Sequence, residues 1–293
     1  MDDVIETTMY SDPACPWAYS ESPALRAIEW RYGDQLRWRL VLVGLTEEAS
    51  QYERRGYTPL RGALGQARFR SRYGMPFAPA PKARISATSR ACRAVVAART
   101  DQPGSEWRVF RALQLANFTT PLVLDDDAQL AEALNRVEGI DGDALVARID
   151  DPDVREAYER DKAESRTAAG SAAELQGKTA TTDGPVRFTA PSLTFQRNGT
   201  RLVAGGFQPL EAYDVLIANL DPSLERQPPP ESPEPLLRRF PDGLTTQEVA
   251  ALLADGNDAP DRAAAEAALL ELVAAGTAGR QPLGDDALWK PAP

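Results

Sequence analysis

The sequence predicts an α/β fold that is interrupted by an all-helical insertion and followed by a small α+β unit. Three observations predict it. The chain opens with an apolar strand-like run at 4–12, a helix-like run at 22–32 and a second apolar run at 36–45. Residues from about 46 to 170 then read as successive amphipathic helices. Asn198-Gly199 between two apolar runs is the strongest short hairpin signal, and a proline-rich stretch at 223–235 sets off the C-terminal segment.

Composition narrows the function classes. A chain of 293 residues with 43% hydrophobic residues can bury a sizeable core. Its net charge of −10 argues against non-specific binding to nucleic acid or anionic membrane. No run of 18 apolar residues is present, so no membrane span is expected. Met1-Asp2-Asp3 lacks a signal-peptide pattern, and a cytoplasmic location is the expectation. Histidine is absent, which excludes histidine-based triads, acid–base work and zinc ligation. Two cysteines, Cys15 and Cys92, do not make a disulfide framework or a metal site.

In chain order, residues 22–32 place Leu25, Ile28, Glu29 and Tyr32 at helical spacing, and Gly33-Asp34 ends the run. Leu36 to Leu45 turns fully apolar, which predicts a central strand covered on both faces. Arg54, Arg55, Arg61, Arg68, Arg70 and Arg72 crowd one short stretch. They are either a solvated helix face or a cationic rim that recruits an anionic substrate, such as a thiol carrying carboxylates. Residues 84–100 predict a helix with Ile85, Ala91, Cys92, Val95 and Val96 on its apolar face. Helices are expected at 105–118, 127–135, 141–150 and 152–168, with Asp125-Asp126-Asp127 serving the dipole of the helix at 127–135 rather than a cation. Residues 169–187 read as the end of a helix and a long loop. Strands flank the Asn198-Gly199 turn, and a helix spans about 209–220.

One motif organises the chain. Asp12-Pro13-Ala14-Cys15-Pro16-Trp17-Ala18 lies at the junction of the first strand and a helix. A cysteine where a helix begins meets unpaired N–H groups and a partial positive charge, which predicts a lowered thiol pKa. Pro16 suits the first helical position. The motif resembles the active site of the DsbA family of thioredoxin-fold proteins, D-P-x-C-P-W-C, with Asp12, Pro13, Cys15, Pro16 and Trp17 in place. Ala18 stands where the family carries its second cysteine. Ala190-Pro191 resembles the cis-proline that faces the active cysteine in that family, and the helical run matches its insertion. The resemblance covers about residues 4–222 and implies a thioredoxin-like domain over 1–222, with the insertion at about 46–170.

The last segment, 236–293, is expected to be a separate unit. Thr245 to Glu248 forms a capping box, a second helix runs from Arg262 to Ala275, and two strands flank Leu283-Gly284-Asp285-Asp286. The order resembles a winged-helix domain. Residues 228–293 carry 11 acidic and 5 basic residues, a net of −6, too few cations to neutralise phosphates. A packing, lid or dimerisation role is expected instead, which makes a homodimer through this unit a candidate assembly.

By resemblance, the activity is thiol–disulfide exchange in a single-cysteine form. Cys15 is the candidate nucleophile, and Pro16, Trp17, Ala190 and Pro191 bind the substrate thiol or peptide. Without a second motif cysteine an external thiol must resolve the mixed disulfide, with a low-molecular-weight thiol as co-substrate and no tightly bound cofactor. Cys92 reads as a core cysteine or as a resolving thiol. Two alternatives stand beside this: a redox-inactive binding or assembly module, and an enzyme resembling the kappa-class glutathione transferases and 2-hydroxychromene-2-carboxylate isomerases, whose motif usually has Ser at the place of Cys15.

Overall fold

The computed structural model describes residues 4–182, 184–256 and 258–292. Strand β1 (Ile5–Ser11) leads through the motif into the short helix α1 (Pro16–Ser20) and then α2 (Ser22–Tyr32). Helix α2 matches the helix expected at 22–32, and α1 is a further short helix ahead of it, with Glu21 at the junction of the two. Strand β2 (Leu36–Leu42) returns parallel to β1 in register Ile5↔Leu36 to Ser11↔Leu42.

The insertion comprises α3 (Ala49–Arg54), α4 (Pro59–Tyr73), α5 (Ser89–Asp101), α6 (Glu106–Thr119), α7 (Asp127–Leu134), α8 (Gly142–Arg148) and α9 (Pro152–Ser165). Helix α5 starts four residues later than Ile85, which lies outside it and lines the cleft over Cys15. The acidic triplet does helix and surface work: Asp126 caps α7 through the Gln129 N–H, Asp125 pairs with Arg84, and Asp127 pairs with Arg90. Residues expected as a loop contain α10 (Ala172–Leu175) and the two-residue strands β3 (Thr179–Ala180) and β4 (Arg187–Phe188). Strands β5 (Ser192–Arg197) and β6 (Thr200–Gly205) form the expected hairpin, with Asn198 at φ 49° and Gly199 at φ 78° in the tight turn. Helix α11 (Leu210–Leu220) comes next.

Strands β1, β2, β5 and β6 make one mixed sheet in the order β2-β1-β5-β6, and β3 and β4 pair only with each other. The apolar run of β2 therefore sits on an edge, not in the centre as expected. It stays apolar because the insertion covers that edge. The Asp161 carboxylate accepts the Leu42 N–H at 3.0 Å, and Arg99 donates to the Leu40 carbonyl at 3.0 Å while pairing with Asp161. Side chains of α9 and α5 thus replace a missing strand partner and close the edge to further pairing.

The C-terminal unit contains α12 (Glu234–Arg239), β7 (Leu244–Thr245), α13 (Thr246–Leu253), α14 (Arg262–Ala274), β8 (Ala278–Leu283) and β9 (Asp286–Pro291). Its sheet has the order β7-β9-β8, and β7 is a strand too short to show in the sequence pattern. This unit is not separate from the rest. Ala27 and Trp30 of α2 share one apolar cluster with Leu236, Val249, Leu269 and Trp289. The linker is pinned along α2: Trp30 Nε1 donates to the Pro228 carbonyl at 2.9 Å, and the Gln227 N–H donates to the Arg31 carbonyl at 2.8 Å. Its composition predicted stiffness, but only the neighbouring helix offers these partners. Among the described residues no helix is long and apolar enough to cross a membrane.

Candidate active site

The site begins at the C-terminal end of β1. Asp12 is fully buried, and its carboxylate accepts the Ala14 N–H at 2.8 Å, the Leu45 N–H at 2.9 Å and the Thr88 hydroxyl at 2.8 Å. Its backbone carbonyl accepts the Cys15 N–H at 3.1 Å. These bonds shape the turn that presents Cys15 as the N-cap of α1, with Pro16 at the first helical position. Burial pushes the Asp12 carboxyl upward, against hydrogen bonds from Leu45, Ala14 and Thr88 that favour its charged form.

Strand β5 runs antiparallel to β1 with Tyr10 opposite Ser192. The register brings the chain just before β5 beside the chain just after β1. The Ala190–Pro191 peptide bond is cis, and the Cys15 Sγ donates to the Ala190 carbonyl at 2.9 Å. Cys15, Ala190, Tyr10, Phe188 and Val43 belong to one buried cluster.

The lowered thiol pKa expected for Cys15 is contradicted. Burial pushes the thiol up to about 12, and the negative charge of Asp12 adds to this. The N–H groups of Ala18 and Trp17 and the charge of Arg187 pull the other way and lose. Desolvation wins because Cys15 is only 4% exposed and α1 is a helix of 5 residues, too short to gather much dipole.

Cys92 is placed elsewhere. It lies on the inner face of α5, is fully buried and does not line the cleft. Its Sγ donates to the Asp12 carboxylate at 3.5 Å. Both cysteines are free. The apolar spacing that put Cys92 on a core face also removes it from the surface where a mixed disulfide would be resolved.

A cleft of about 640 Å³ opens over Cys15, lined by Pro16, Trp17 and Ala190 among others. Pro191 is absent from the lining. Trp17 is 44% exposed and packs against Phe69, Tyr73 and Phe207 with ring centroids 4.8, 5.9 and 5.8 Å away. Six cations line the cleft: Arg55, Arg61, Lys82, Arg84, Lys178 and Arg187. No acidic side chain is among its described lining residues. Of the arginine cluster read from the sequence, only Arg55 and Arg61 reach the cleft. Arg54 turns to Ser50, and Arg70 pairs with Asp285. Lys82, Arg84, Lys178 and Arg187 were not recognisable as site residues, although Arg187 lies three positions before Ala190.

Lys82 is the most buried of the lysines in this cleft. Its Nζ donates to Asn117 Oδ1 at 3.0 Å and to the Leu122 carbonyl at 2.6 Å. Burial pushes its pKa down to about 8, partly offset by the charge of Asp125. On the β3–β4 side, Arg55 donates to the Thr182 carbonyl at 3.1 Å and Arg187 to the Thr182 hydroxyl at 3.3 Å. Among the described residues no cluster of candidate ligands could hold a metal ion.

Comparison with known proteins bears on the family and the fold. Residues 7–170 match the model of the DSBA-like thioredoxin domain. A candidate protein disulfide isomerase from Nitrosomonas europaea superposes with a TM-score of 0.55 and 18% identity, over 74% of this chain and 97% of its own. A candidate DsbA oxidoreductase from Streptomyces coelicolor gives a TM-score of 0.55 and 16% identity, over 75% of this chain and 91% of its own. The cytosolic disulfide reductase DsbM from Pseudomonas aeruginosa gives 0.47 and 19%, over 74% and 100%. No curated protein matches the chain. The likenesses to solved structures carry the fold alone. With the family match over more than half of the chain, they identify this protein as a member of the DSBA-like thioredoxin family, with the fold of a thiol–disulfide oxidoreductase.

Proposed function

We propose that this protein carries out thiol–disulfide exchange through Cys15 alone, with a small anionic thiol as co-substrate. The observation that carries the reading is the Cys15 sulfur 2.9 Å from the Ala190 carbonyl, at the wall of a cleft lined by six cations, of which Arg84 is paired with Asp125, and by no described acidic residue. In an acidic protein such a cleft concentrates anionic ligands.

The resting thiol is neutral, so the reaction starts when its proton passes to water. The N–H groups of Trp17 and Ala18 then stabilise the thiolate. The thiolate attacks one sulfur of a disulfide RSSR′. A Cys15–SR bond forms, the S–S bond breaks, and R′S⁻ leaves with its electron pair. Ala18 offers no second thiol, so an external thiolate R″S⁻ attacks the R sulfur. RSSR″ forms, and the Cys15 thiolate is released.

The neutral, hydrogen-bond-donating state of Cys15 favours a second reading. A thiol that stays protonated can donate to the thiolate of a bound co-substrate, as expected of an enzyme resembling the kappa-class glutathione transferases and the chromene-carboxylate isomerases. The C-terminal unit has the element order of a winged helix, and its core is shared with α2, which supports a packing role. A cytoplasmic location fits a protein that works with low-molecular-weight thiols.

The test incubates wild type and Cys15→Ser with the mixed disulfides of mercaptosuccinate and of cysteamine, an anionic and a cationic thiol, and reads adduct mass and exchange rate. Exchange is expected in the wild type, faster with mercaptosuccinate and lost in Cys15→Ser. Equal rates in the two proteins would overturn the exchange role. Thiol-dependent turnover of an electrophile that survives in Cys15→Ser would establish the second reading.

A further inference from the structure

Helix α4 forms one wall of the cleft, contributing Arg61, Ala63, Gln66 and Phe69. Yet of its 15 residues only Ala63 is buried. Its half-buried Phe69 and Tyr73 pack on Trp17, and little else of its surface is covered. The elbow that follows at residues 74–78 is gripped by the C-terminal unit.

The grip is specific. The β8–β9 turn places Asp285 so that its Oδ1 accepts the Phe77 N–H at 2.9 Å, while Oδ2 lies 3.5 Å from the Arg70 guanidinium. Gly284, at φ +58°, lies so close to the elbow that an added Cβ would stand 2.9 Å from the Phe77 carbonyl oxygen. The Thr245 hydroxyl reaches Met75 Sδ at 3.5 Å, and Gln247 occupies the space that a Cβ on Gly74 would fill. Leu288 joins Met75, Phe77, Phe118 and Tyr19 in one buried cluster, with Phe69 of α4 packed against it. Phe69 in turn stacks edge-on to Trp17. A continuous chain of contacts therefore runs from the C-terminal turn through Phe77 and Phe69 to the residue two positions after Cys15.

We propose that Asp285 is a positioning residue of the active-site cleft: it ties the C-terminal turn to Phe77 and thereby fixes α4 as the wall beside Trp17 and Cys15. The appended unit thus sets the width of the substrate cleft. This rests on the reading of the cleft as the substrate site.

The test uses the full chain. Asp285→Ala removes the acceptor of the Phe77 N–H. Asp285→Asn keeps an acceptor and removes only the charge facing Arg70, a half-exposed pair of little expected weight. Hydrogen exchange at the amides of residues 59–73 is expected to quicken roughly fivefold in Asp285→Ala, the scale of one lost hydrogen bond, and to return near the wild-type rate in Asp285→Asn. The Trp17 emission, taken as the difference from a Trp17→Phe variant, is expected to shift with it. KM for the mercaptosuccinate disulfide should rise several-fold with kcat little changed. Should Asp285→Ala fail to fold, Gln247→Ala loosens the same elbow at Gly74 and is expected to quicken the same amides. Unchanged exchange at 59–73 in the folded variants would overturn the proposal, as would a KM that does not move. If Cys15 performs no exchange at all, the proposed reaction fails, while the amide and Trp17 measurements still decide the role of Asp285.

Discussion

Arg111 and Glu248 form a buried, two-pronged ion pair across the junction of the helical insertion and the C-terminal unit, with N–O distances of 2.7 and 2.8 Å. Arg111 also donates to the Gly243 carbonyl at 2.9 Å, and Glu248 receives the Thr245 N–H at 2.7 Å and the Ser22 hydroxyl. The residue that completes the capping box of α13 is therefore also the partner of a cation on α6. A capping pattern explains why Glu248 comes three positions after Thr245, and the ion pair explains why it can be wholly buried.

Acid should release this lock. Burial alone would raise the Glu248 carboxyl, but the charge and hydrogen bonds of Arg111 outweigh it and hold the group down at about 2. An unfolded glutamate titrates near about 4.3. The depressed group contributes stability that is fully present above that value and lost as pH falls toward 2, on the order of 3 kcal/mol. Thermal unfolding from about pH 7 to pH 3 is expected to show a steep loss of Tm in the wild type and a shallower one in Glu248→Gln. Glu248→Gln itself should cost about 3–5 kcal/mol at neutral pH, because it leaves Arg111 buried without its partner. Parallel pH profiles for the two proteins would contradict the assignment.

Cys15 should react slowly at neutral pH. The unfolded thiol titrates near about 8.5, and in the folded protein burial pushes it up to about 12. Stability tied to the protonated thiol is fully present below the unfolded value and is lost as pH rises toward the folded one. Alkylation of Cys15 in a Cys92→Ser background, tracked by mass, is expected to climb steadily through about pH 10 and to lag well behind the denatured chain at pH 7. A plateau near neutrality would show a thiolate already present and would contradict the weight given to desolvation.

Lys82 should make anion binding sensitive to pH. Its pKa is pushed down to about 8, so the charge that faces the cleft fades as pH rises through that value. The affinity for mercaptosuccinate, measured by calorimetry, is expected to fall between about pH 7 and pH 9 in the wild type. Lys82→Met should bind roughly tenfold more weakly at pH 7, the scale of one charged hydrogen bond, and should lose most of the pH dependence. Wild-type affinity in Lys82→Met would remove Lys82 from the site.

The parts of the site that were legible in the sequence are local ones. A strand, then Asp12-Pro13-Ala14-Cys15-Pro16, then a helix is a pattern whose turn chemistry is written in neighbouring residues, and the helix starts at Pro16 as its fixed φ allows. The hairpin at Asn198-Gly199 was legible for the same reason, since the positive φ angles it needs belong to those two residues. The cationic cleft was half legible: Arg55 and Arg61 stood out as a charge run, whereas Lys82, Arg84, Lys178 and Arg187 come from separate segments and meet only in space.

The sequence by itself determined the order of the main elements, the position of Cys15 at a strand-to-helix junction and the absence of a second cysteine beside it. Those come from periodicity, capping and turn chemistry, which act over a few residues, while the thioredoxin-like frame was implied by the resemblance of the motif. The tertiary structure decided that β2 is an edge closed by Arg99 and Asp161, that Cys92 faces Asp12 rather than the cleft, and that Asp285 of the C-terminal turn accepts the Phe77 N–H. It also reversed the direction of the Cys15 shift. The helix N-terminus favouring the thiolate is local and could be read from the chain, but the burial that overrides it depends on Tyr10, Val43, Phe188 and Ala190, brought around the sulfur by strand pairing between segments far apart in the chain.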